Sequence, residues 1–299
     1  MSKKIGFAGM GIMGLPMSKH ILKEGYEVTV YNRTKEKTAP ATENGAKIAD
    51  SPRELCRESD TIILMLTGPE AIDAVLAGPG GILEEDCSGK ILINMSTVSP
   101  AYARKLADIL ARRGIEFVDA PVSGSKKPAE DGTLVILAGG DRETVRRQEA
   151  LLLTMGKKVV YCGEAGQGSA MKMVVNLLLG VMMEGLCEAV TLGEKCGLSK
   201  ESIIETLLAG PLGCGLFNLK SEMLMEGDYP TQFPFKHMTK DIRFVLQTAD
   251  EKGAPTPVGH AVFQLYRHGM GQGMGDMDFA AVKKVLDAMC DCGDSCSTV

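Results

Sequence analysis

Short apolar runs alternate with helix-spaced apolar positions over the first half of the chain, and helix spacing alone governs the second half. The first run, Ile5-Gly6-Phe7-Ala8, reads as a buried strand. Gly9-Met10-Gly11-Ile12-Met13-Gly14 follows at once, and Leu15, Met17, Ile21 and Leu22 then open a helix pattern. Further strands are predicted over 27–31, 60–67, 90–97, 114–120, 133–140 and 157–162. Helical patterns lie between them, with Pro52 and Pro69 placed for first helical turns. Strands alternating with helices predict a doubly wound, largely parallel α/β sheet. Ligands lie at the carboxyl ends of such strands. That puts Met65, Leu66, Ser96, Thr97 and the turn after Asp119 at the mouth of a site.

From Gly163 the pattern changes. A breaker-rich connection, Gly163-Glu164-Ala165-Gly166-Gln167-Gly168, leads into a run from Ser169 to about Lys195 that is apolar nearly all round, as a central buried helix is. Helices near 200–208, 217–225, 238–252, 257–268 and 279–287 are expected after it, with Ser199 or Ser202 as an N-cap and Asp276 and Asp278 capping the last. Residues 269–275 read as a glycine-rich flexible loop. The chain is thus expected to hold a nucleotide-binding domain over 1–163, an all-α domain over 164–290 that carries substrate and subunit contacts, and a polar, cysteine-containing tail over 291–299.

Gly9-x-Gly11-x-x-Gly14 sits between a strand and a helix, the context a dinucleotide-binding turn needs. Gly9 permits the tight turn, Gly11 lets backbone approach a pyrophosphate, and Gly14 allows close helix–strand packing. Ile12 and Met13 complete the turn, and the helix N-terminus offers N–H donors to phosphate. The N-terminal domain is therefore expected to be of Rossmann type. After the second strand come Asn32, Arg33, Thr34 and Lys37. A carboxylate at this point would hold a ribose 2′-hydroxyl, whereas a cation accommodates a 2′-phosphate. Arg33 can pair with that phosphate bidentately, so the turn reads as NADP(H) rather than NAD(H); a solvated basic turn would have the same composition.

Two polar residues interrupt the long apolar helix early. Lys172 and Asn176 are spaced i, i+4 and share one face. A buried lysine is costly unless paired or used, and its pKa can be drawn down as a general acid–base needs. Equally, a lysine near a helix start can run its ammonium out to solvent. Ser123 and Gly124, after the stiffening Pro121, can offer a hydroxyl and backbone N–H groups to a carboxylate, or simply form a loop. His237 is read as a surface residue.

Composition narrows the partners. The 299 residues carry a net charge of −5 with no long basic run, which argues against nucleic acid. No apolar run approaches the length of a membrane span, and the N-terminal stretch is glycine-broken and lacks a cleavage site. Nine cysteines, an odd number, read as free thiols of a reducing cytoplasm. The cluster Cys290, Cys292 and Cys296 has no neighbouring histidine, so a frayed tail is favoured over a metal site, and no metal is expected.

Four ordered motifs together resemble the β-hydroxyacid dehydrogenase family over nearly the whole chain. They are Gly9-x-Gly11-x-Met13-Gly14-x-Pro16-Met17, Asp119-Ala120-Pro121-Val122-Ser123-Gly124, Gly166-x-Gly168-x-x-x-Lys172-x-x-x-Asn176 and Lys240-Asp241. The resemblance implies Lys172 as proton donor to a substrate carbonyl, oriented by Asn176. It implies Ser123 and Gly124 on the substrate carboxylate and Thr97 between nicotinamide and substrate. Lys240 would touch cofactor and substrate, Asp241 and Phe233 would help form the substrate site, and Met65, Leu66 and Ser96 would line the cofactor. Ser125 to Gly132, Phe233 to His237 and Asn32-Arg33-Thr34 resemble the glyoxylate/succinic semialdehyde reductase branch. That implies NADPH-dependent reduction of small aldehyde acids by a cytoplasmic homodimer or homotetramer. A 3-hydroxyisobutyrate dehydrogenase is the alternative within the family, and a non-catalytic dinucleotide-binding module the alternative outside it.

Overall fold

The structure is a computed structural model that describes residues 4–294, with side chains as far as 290. The chain divides into two compact units, the first ending at Lys172 and the second beginning at Met173, inside one long helix.

The first unit opens with β1 (Lys4–Ala8), α1 (Gly14–Lys23) and β2 (Glu27–Tyr31). After it come α2 (Ala39–Thr42), β3 (Lys47–Ile48), α3 (Pro52–Arg57), β4 (Thr61–Leu64), α4 (Pro69–Ala77), β5 (Ile91–Asn94), α5 (Pro100–Ala111) and β6 (Glu116–Asp119). The unit continues through β7 (Val122–Ser123), α6 (Lys126–Glu130), β8 (Leu134–Gly140), α7 (Arg142–Leu152), β9 (Gly156–Gly163) and the start of α8 (Gln167–Lys195). The strands form one sheet in the order β3-β2-β1-β4-β5-β6-β8-β7, with β9 on β8. The pairs from β3 through β6 are all parallel, whereas β8 runs antiparallel to β6 and β7. The first six strands stand in the order of a dinucleotide-binding sheet, whose direction of winding reverses between β1 and β4.

Alternation along each strand feeds two cores. Ile63 packs on one face with Phe7, Val30 and Met17 of α1. Its neighbours Ile62 and Leu64 pack on the other, with Leu55 of α3, Ile72 of α4 and Leu106 of α5. Each such side chain contributes about 1.5–3 kcal/mol on burial. The helices start where capping chemistry allows. Ser51, Ser99 and Asp141 accept backbone N–H groups of Glu54, Tyr102 and Thr144. Pro52, Pro69 and Pro100 occupy first-turn positions.

The second unit holds the rest of α8, then α9 (Lys200–Ala209), α10 (Gly215–Glu226), α11 (Phe235–Lys252), α12 (Pro257–Gly271) and α13 (Val282–Asp294). Ser199 caps α9 by accepting from Ser202 N–H. Met183, Leu186, Cys187 and Val190 of α8 lie in this unit's core with Met238 and Ile242 of α11 and Tyr266 of α12. A Cβ on Gly180 would stand 3.1 Å from Met238 and 3.2 Å from Ile242, and one on Gly193 would stand 2.4 Å from Ile203. Glycine therefore lets α9 and α11 close on α8.

The structure departs from the sequence reading at several points. The edge strand β3 was not expected. The segment after Asp119, expected to be a turn, contains β7 and α6. Within 269–275, expected to be a loop, α12 continues to Gly271 and a 3₁₀ turn begins at Met274. The last helix enters through a 3₁₀ turn, Phe279–Ala281, which Asp278 caps, while Asp276 pairs instead with Lys236 at 2.6 Å. The backbone of α13 continues to Asp294; the rest of the expected tail and the side chains of Cys292 and Cys296 lie outside the described residues. Cys56 and Cys87 are not free thiols. They are joined in a disulfide that spans 31 residues, both buried, with Cα atoms 6.8 Å apart. Spacing could not reveal that α3 and the chain before β5 bring them together. Among the described residues, one helix meets the length and composition of a membrane span. α8 has 29 residues, and a window of it reaches mean hydropathy 1.7, enough by length and composition to cross a membrane. Its polar residues are too sparse to lower that average, and the core helix of a folded unit meets the same criterion.

The helical unit is pinned by one buried ion pair. Lys220 Nζ lies 2.8 Å from Asp278 Oδ1, and both side chains are almost fully buried. Asp278 Oδ2 also accepts from the N–H groups of Gln232 and Phe233, and its Oδ1 from Ala280 N–H. Removing the carboxylate leaves three N–H donors without this acceptor and a buried ammonium without its counter-charge, its remaining contacts including Gln232 Oε1 at 3.2 Å and the Phe279 ring. Asp278→Ala should therefore cost about 3–5 kcal/mol in urea unfolding; Lys220→Met also leaves a buried charge, the Asp278 carboxylate, but one that keeps its three N–H donors, and so should cost less than Asp278→Ala.

Candidate active site

In the sheet unit the cofactor candidates converge at the carboxyl ends of β1, β2, β4 and β5. Gly9 leaves β1 at φ +108°, and a Cβ there would stand 2.2 Å from Met65 O. A Cβ on Gly14 would stand 1.8 Å from Gly9 O, so no other residue closes this turn unmoved. Gly11 is exposed and its Cβ position is open. Ile12 beside it is exposed, and Met13 packs on the core. Asn32 ties two of these segments together: its Oδ1 accepts from Met10 N–H at 2.9 Å and its Nδ2 donates to Thr34 O at 2.8 Å. Arg33, Thr34 and Lys37 are exposed beyond it. Ser96 Oγ accepts from Leu66 N–H at 2.8 Å and is fully buried, so its hydroxyl holds the chain after β4 rather than facing solvent. Met65, Leu66 and Thr97 are half-buried.

These residues fit a dinucleotide. The glycine turn leaves room over Gly11 and aims the start of α1 at it, and exposed cations follow β2 where a 2′-phosphate would stand.

Ser123, half-buried, ends β7, and Gly124 follows at φ +132°. A Cβ on Gly124 would meet Leu134 at 2.7 Å and Pro128 at 2.9 Å. The same segment begins at Asp119, which is fully buried and to which the sequence reading, though it quoted the residue in a motif, gave no role. Its Oδ2 accepts from Ser169 N–H and its Oδ1 from Ser169 Oγ, each at 2.7 Å. An acid ending an apolar strand is rare enough in a core to have drawn notice. Lys172 lies one turn further along α8 and is 7% exposed, so it does not run out to solvent.

In the helical unit, Asn176 and Asp241 are both buried and bonded, Asn176 Nδ2 donating to Asp241 Oδ2 at 2.9 Å. A carboxylate only accepts, so this bond fixes the amide's orientation. Asn176 Oδ1 is then a buried acceptor with no hydrogen-bond partner among the described residues. Lys240 Nζ lies 2.9 Å from Asp241 Oδ1 and over the Phe244 ring at 4.9 Å. Phe233 is half-buried, held by Asp278 and packed edge-on against Phe279 at 5.5 Å. His237, read as a surface residue, is also half-buried, because it starts the α11 face that carries Asp241 one turn on. Burial, with Lys240 nearby, holds its imidazole below the usual range.

The sheet order and the glycine turn define a dinucleotide-binding protein, and comparison with known proteins narrows the class. Residues 4–163 match the family model of the NAD-binding domain of 6-phosphogluconate dehydrogenase. Residues 166–286 match that of the NAD-binding domain of NADP-dependent 3-hydroxyisobutyrate dehydrogenase. Glyoxylate/succinic semialdehyde reductase 1 of Arabidopsis thaliana is 39% identical over 93% of this chain and 96% of its own length. The chloroplastic reductase 2 of the same plant is 40% identical over 95% of this chain and 79% of its own length. Among solved structures, 3-hydroxyisobutyrate dehydrogenase of Mycobacterium tuberculosis with L-serine superposes with a TM-score of 0.83 at 29% identity, covering 96% of this chain and 99% of that one. The chain belongs to the β-hydroxyacid dehydrogenase family, in its glyoxylate/succinic semialdehyde reductase branch. It is an NAD(P)-dependent oxidoreductase whose cofactor is NADP(H).

The buried acid makes a testable difference to stability. Burial pushes the Asp119 carboxyl up to about 6, against the pull of the Ser169 and Gly166 hydrogen bonds and the Arg104 guanidinium. Between pH 4 and 6 the folded state then holds a proton that the unfolded chain releases. The contribution of this group to stability should fall as pH rises through that window, by on the order of 3 kcal/mol, and stay level above it. Asp119→Asn should lose this fall in unfolding titrations run at each pH, leaving a flatter profile from pH 4 to 6.

Proposed function

We propose that this enzyme reduces small aldehyde acids with NADPH, taking succinic semialdehyde to 4-hydroxybutyrate and glyoxylate to glycolate. The names of the two Arabidopsis relatives support the substrate class. The observation that carries the chemistry is the burial of Lys172 on the same face of α8 as the amide of Asn176. In this reading residues 1–163 bind NADP(H), through Gly9 to Gly14, Asn32, Arg33, Thr34 and Lys37, with Met65, Leu66, Ser96, Thr97 and Lys240 lining it. Residues 164–290 complete the substrate site and make the subunit contacts of a homodimer or homotetramer. The cytoplasm is the proposed compartment.

The nicotinamide of bound NADPH supplies a hydride to the aldehyde carbon. Ser123 and the N–H groups at Gly124 hold the substrate carboxylate, and Thr97 and Phe233 confine the chain. The Lys172 ammonium gives its proton to the carbonyl oxygen as negative charge grows there. The product is a primary alcohol, and the neutral amine regains a proton from solvent. Asn176, its amide fixed by Asp241, offers Oδ1 to orient the ammonium or the hydroxyl. Such a general-acid step is worth about 10²–10⁴-fold.

Lys172→Ala should lower kcat by about 10²–10⁴-fold with NADPH affinity changed only a few-fold. NADPH oxidation and fluorescence titration read the two effects, and near-full turnover would refute the mechanism. In side-by-side assays succinic semialdehyde and glyoxylate should outrun methylmalonate semialdehyde, NADPH should outrun NADH, and butyraldehyde, which lacks the acid, should react poorly. Preference for methylmalonate semialdehyde would move the enzyme to 3-hydroxyisobutyrate chemistry.

A further inference from the structure

Three observations converge on the first turn of α8. First, the opening turn of this helix is bonded from the sheet as well as from the chain before it, where Gln167 N–H donates to Glu164 O at 3.0 Å. The donor at its third position, Ser169 N–H, and the Ser169 hydroxyl both bond to Asp119, the last residue of β6, at 2.7 Å. Second, the backbone of that turn lies directly on the sheet. A Cβ on Gly168 would stand 2.3 Å from Leu137 O and 2.4 Å from Asp119 O, and one on Gly139 would stand 2.8 Å from Gly168 N. Third, Asp119 leads without interruption into Ser123 and Gly124, the proposed anchor for the substrate carboxylate, while Ser169 precedes Lys172 by less than one turn.

We propose that Asp119 is a positioning residue for the reaction: by gripping Ser169 it sets the height and rotation of α8 on the sheet, and so the place of Lys172 relative to the Ser123–Gly124 anchor. The inference rests on the reading of Lys172 as the general acid. A helix without this grip can slide or unwind by part of a turn, because close backbone contact limits approach but not rotation. Each bond of the grip has a distinct function. Ser169 N–H carries the positive end of the helix to the carboxylate, and the hydroxyl adds a second point that fixes the helix azimuth. Asp119 touches neither cofactor nor substrate in this account, and its effect on rate passes through Lys172.

Misplacing a reacting group by about 1 Å can cost on the order of 10²-fold, so a loosened Lys172 should show in kcat. The test is a double-mutant cycle with a second readout that does not depend on turnover. Asp119→Asn should lower kcat about 10-fold or more and leave the NADPH dissociation constant within about 2-fold. In a Lys172→Ala background the same change should have no further effect on kcat, since nothing remains to be positioned. Hydrogen exchange of the amides at 169–172 should quicken in Asp119→Asn, with NADPH present or absent. Ser169→Ala removes only the hydroxyl bond, runs the same cycle with a smaller loss, and serves if Asp119→Asn does not fold. An equal loss of kcat in both backgrounds, or unchanged exchange at 169–172, would overturn the positioning role while leaving the general-acid reading intact. If Lys172→Ala alone retained full turnover, the general-acid reading would fail, and the inference with it.

Discussion

Backbone lying directly on backbone is the constraint on which this protein depends. Two helices begin on the sheet with no side chain in between. α1 closes on β1 because a Cβ on Gly14 would stand 1.8 Å from Gly9 O. α8 closes on β6 and β8 because a Cβ on Gly168 would stand 2.3 Å from Leu137 O. The first contact clears the space over Gly11 for a dinucleotide. The second brings the start of a 29-residue helix within hydrogen-bonding reach of Asp119. Both use glycine for what it lacks, and both sit at the carboxyl edge of strands, where strand ends and helix starts leave backbone groups to be satisfied.

Around these contacts, several polar side chains hold backbone in place. Ser96 spans the ends of β4 and β5, Asn32 links the glycine turn to the chain after β2, and Asp278 laces the segment through Phe233 to the start of the last helix. Each would cost free energy in an apolar core if it stood alone. Each is satisfied, and the segments it fixes carry the residues proposed to meet cofactor and substrate. Asn176 differs: one of its amide atoms is bonded to Asp241 and the other is left as a buried acceptor, as the Thr61 hydroxyl is in the sheet. That free acceptor is the feature on which the role proposed for Asn176 rests.

Much of this site was legible in the chain because its signals are local. Gly9, Gly11 and Gly14 stand at fixed offsets after an apolar run, and Lys172 and Asn176 interrupt an apolar helix four residues apart. Those patterns are set by turn geometry and helix pitch, which act over a few residues. Ser96 was picked out for its place at a strand end, but its buried hydroxyl holds backbone, a distinction that exposure decides and residue type does not. His237 shows the converse. Nothing in its neighbourhood in sequence marks it, and it is the packing of α11 that half-buries it.

The sequence by itself determined the alternation of strand and helix, the two-part division into α/β and all-α regions, the phosphate turn, and the polar residues inside the long helix. These follow from periodicity and from the φ and volume of single residues. Only the tertiary structure decided which distant groups meet: Asp119 with Ser169, Lys220 with Asp278, Cys56 with Cys87, and β8 running against β6. It also decided that Val122 and Ser123 join the sheet as β7 rather than remaining a turn. Those pairings depend on how the chain closes on itself over tens of residues. Many partners of equal chemical merit compete at that range, and only the packing of the whole unit selects among them.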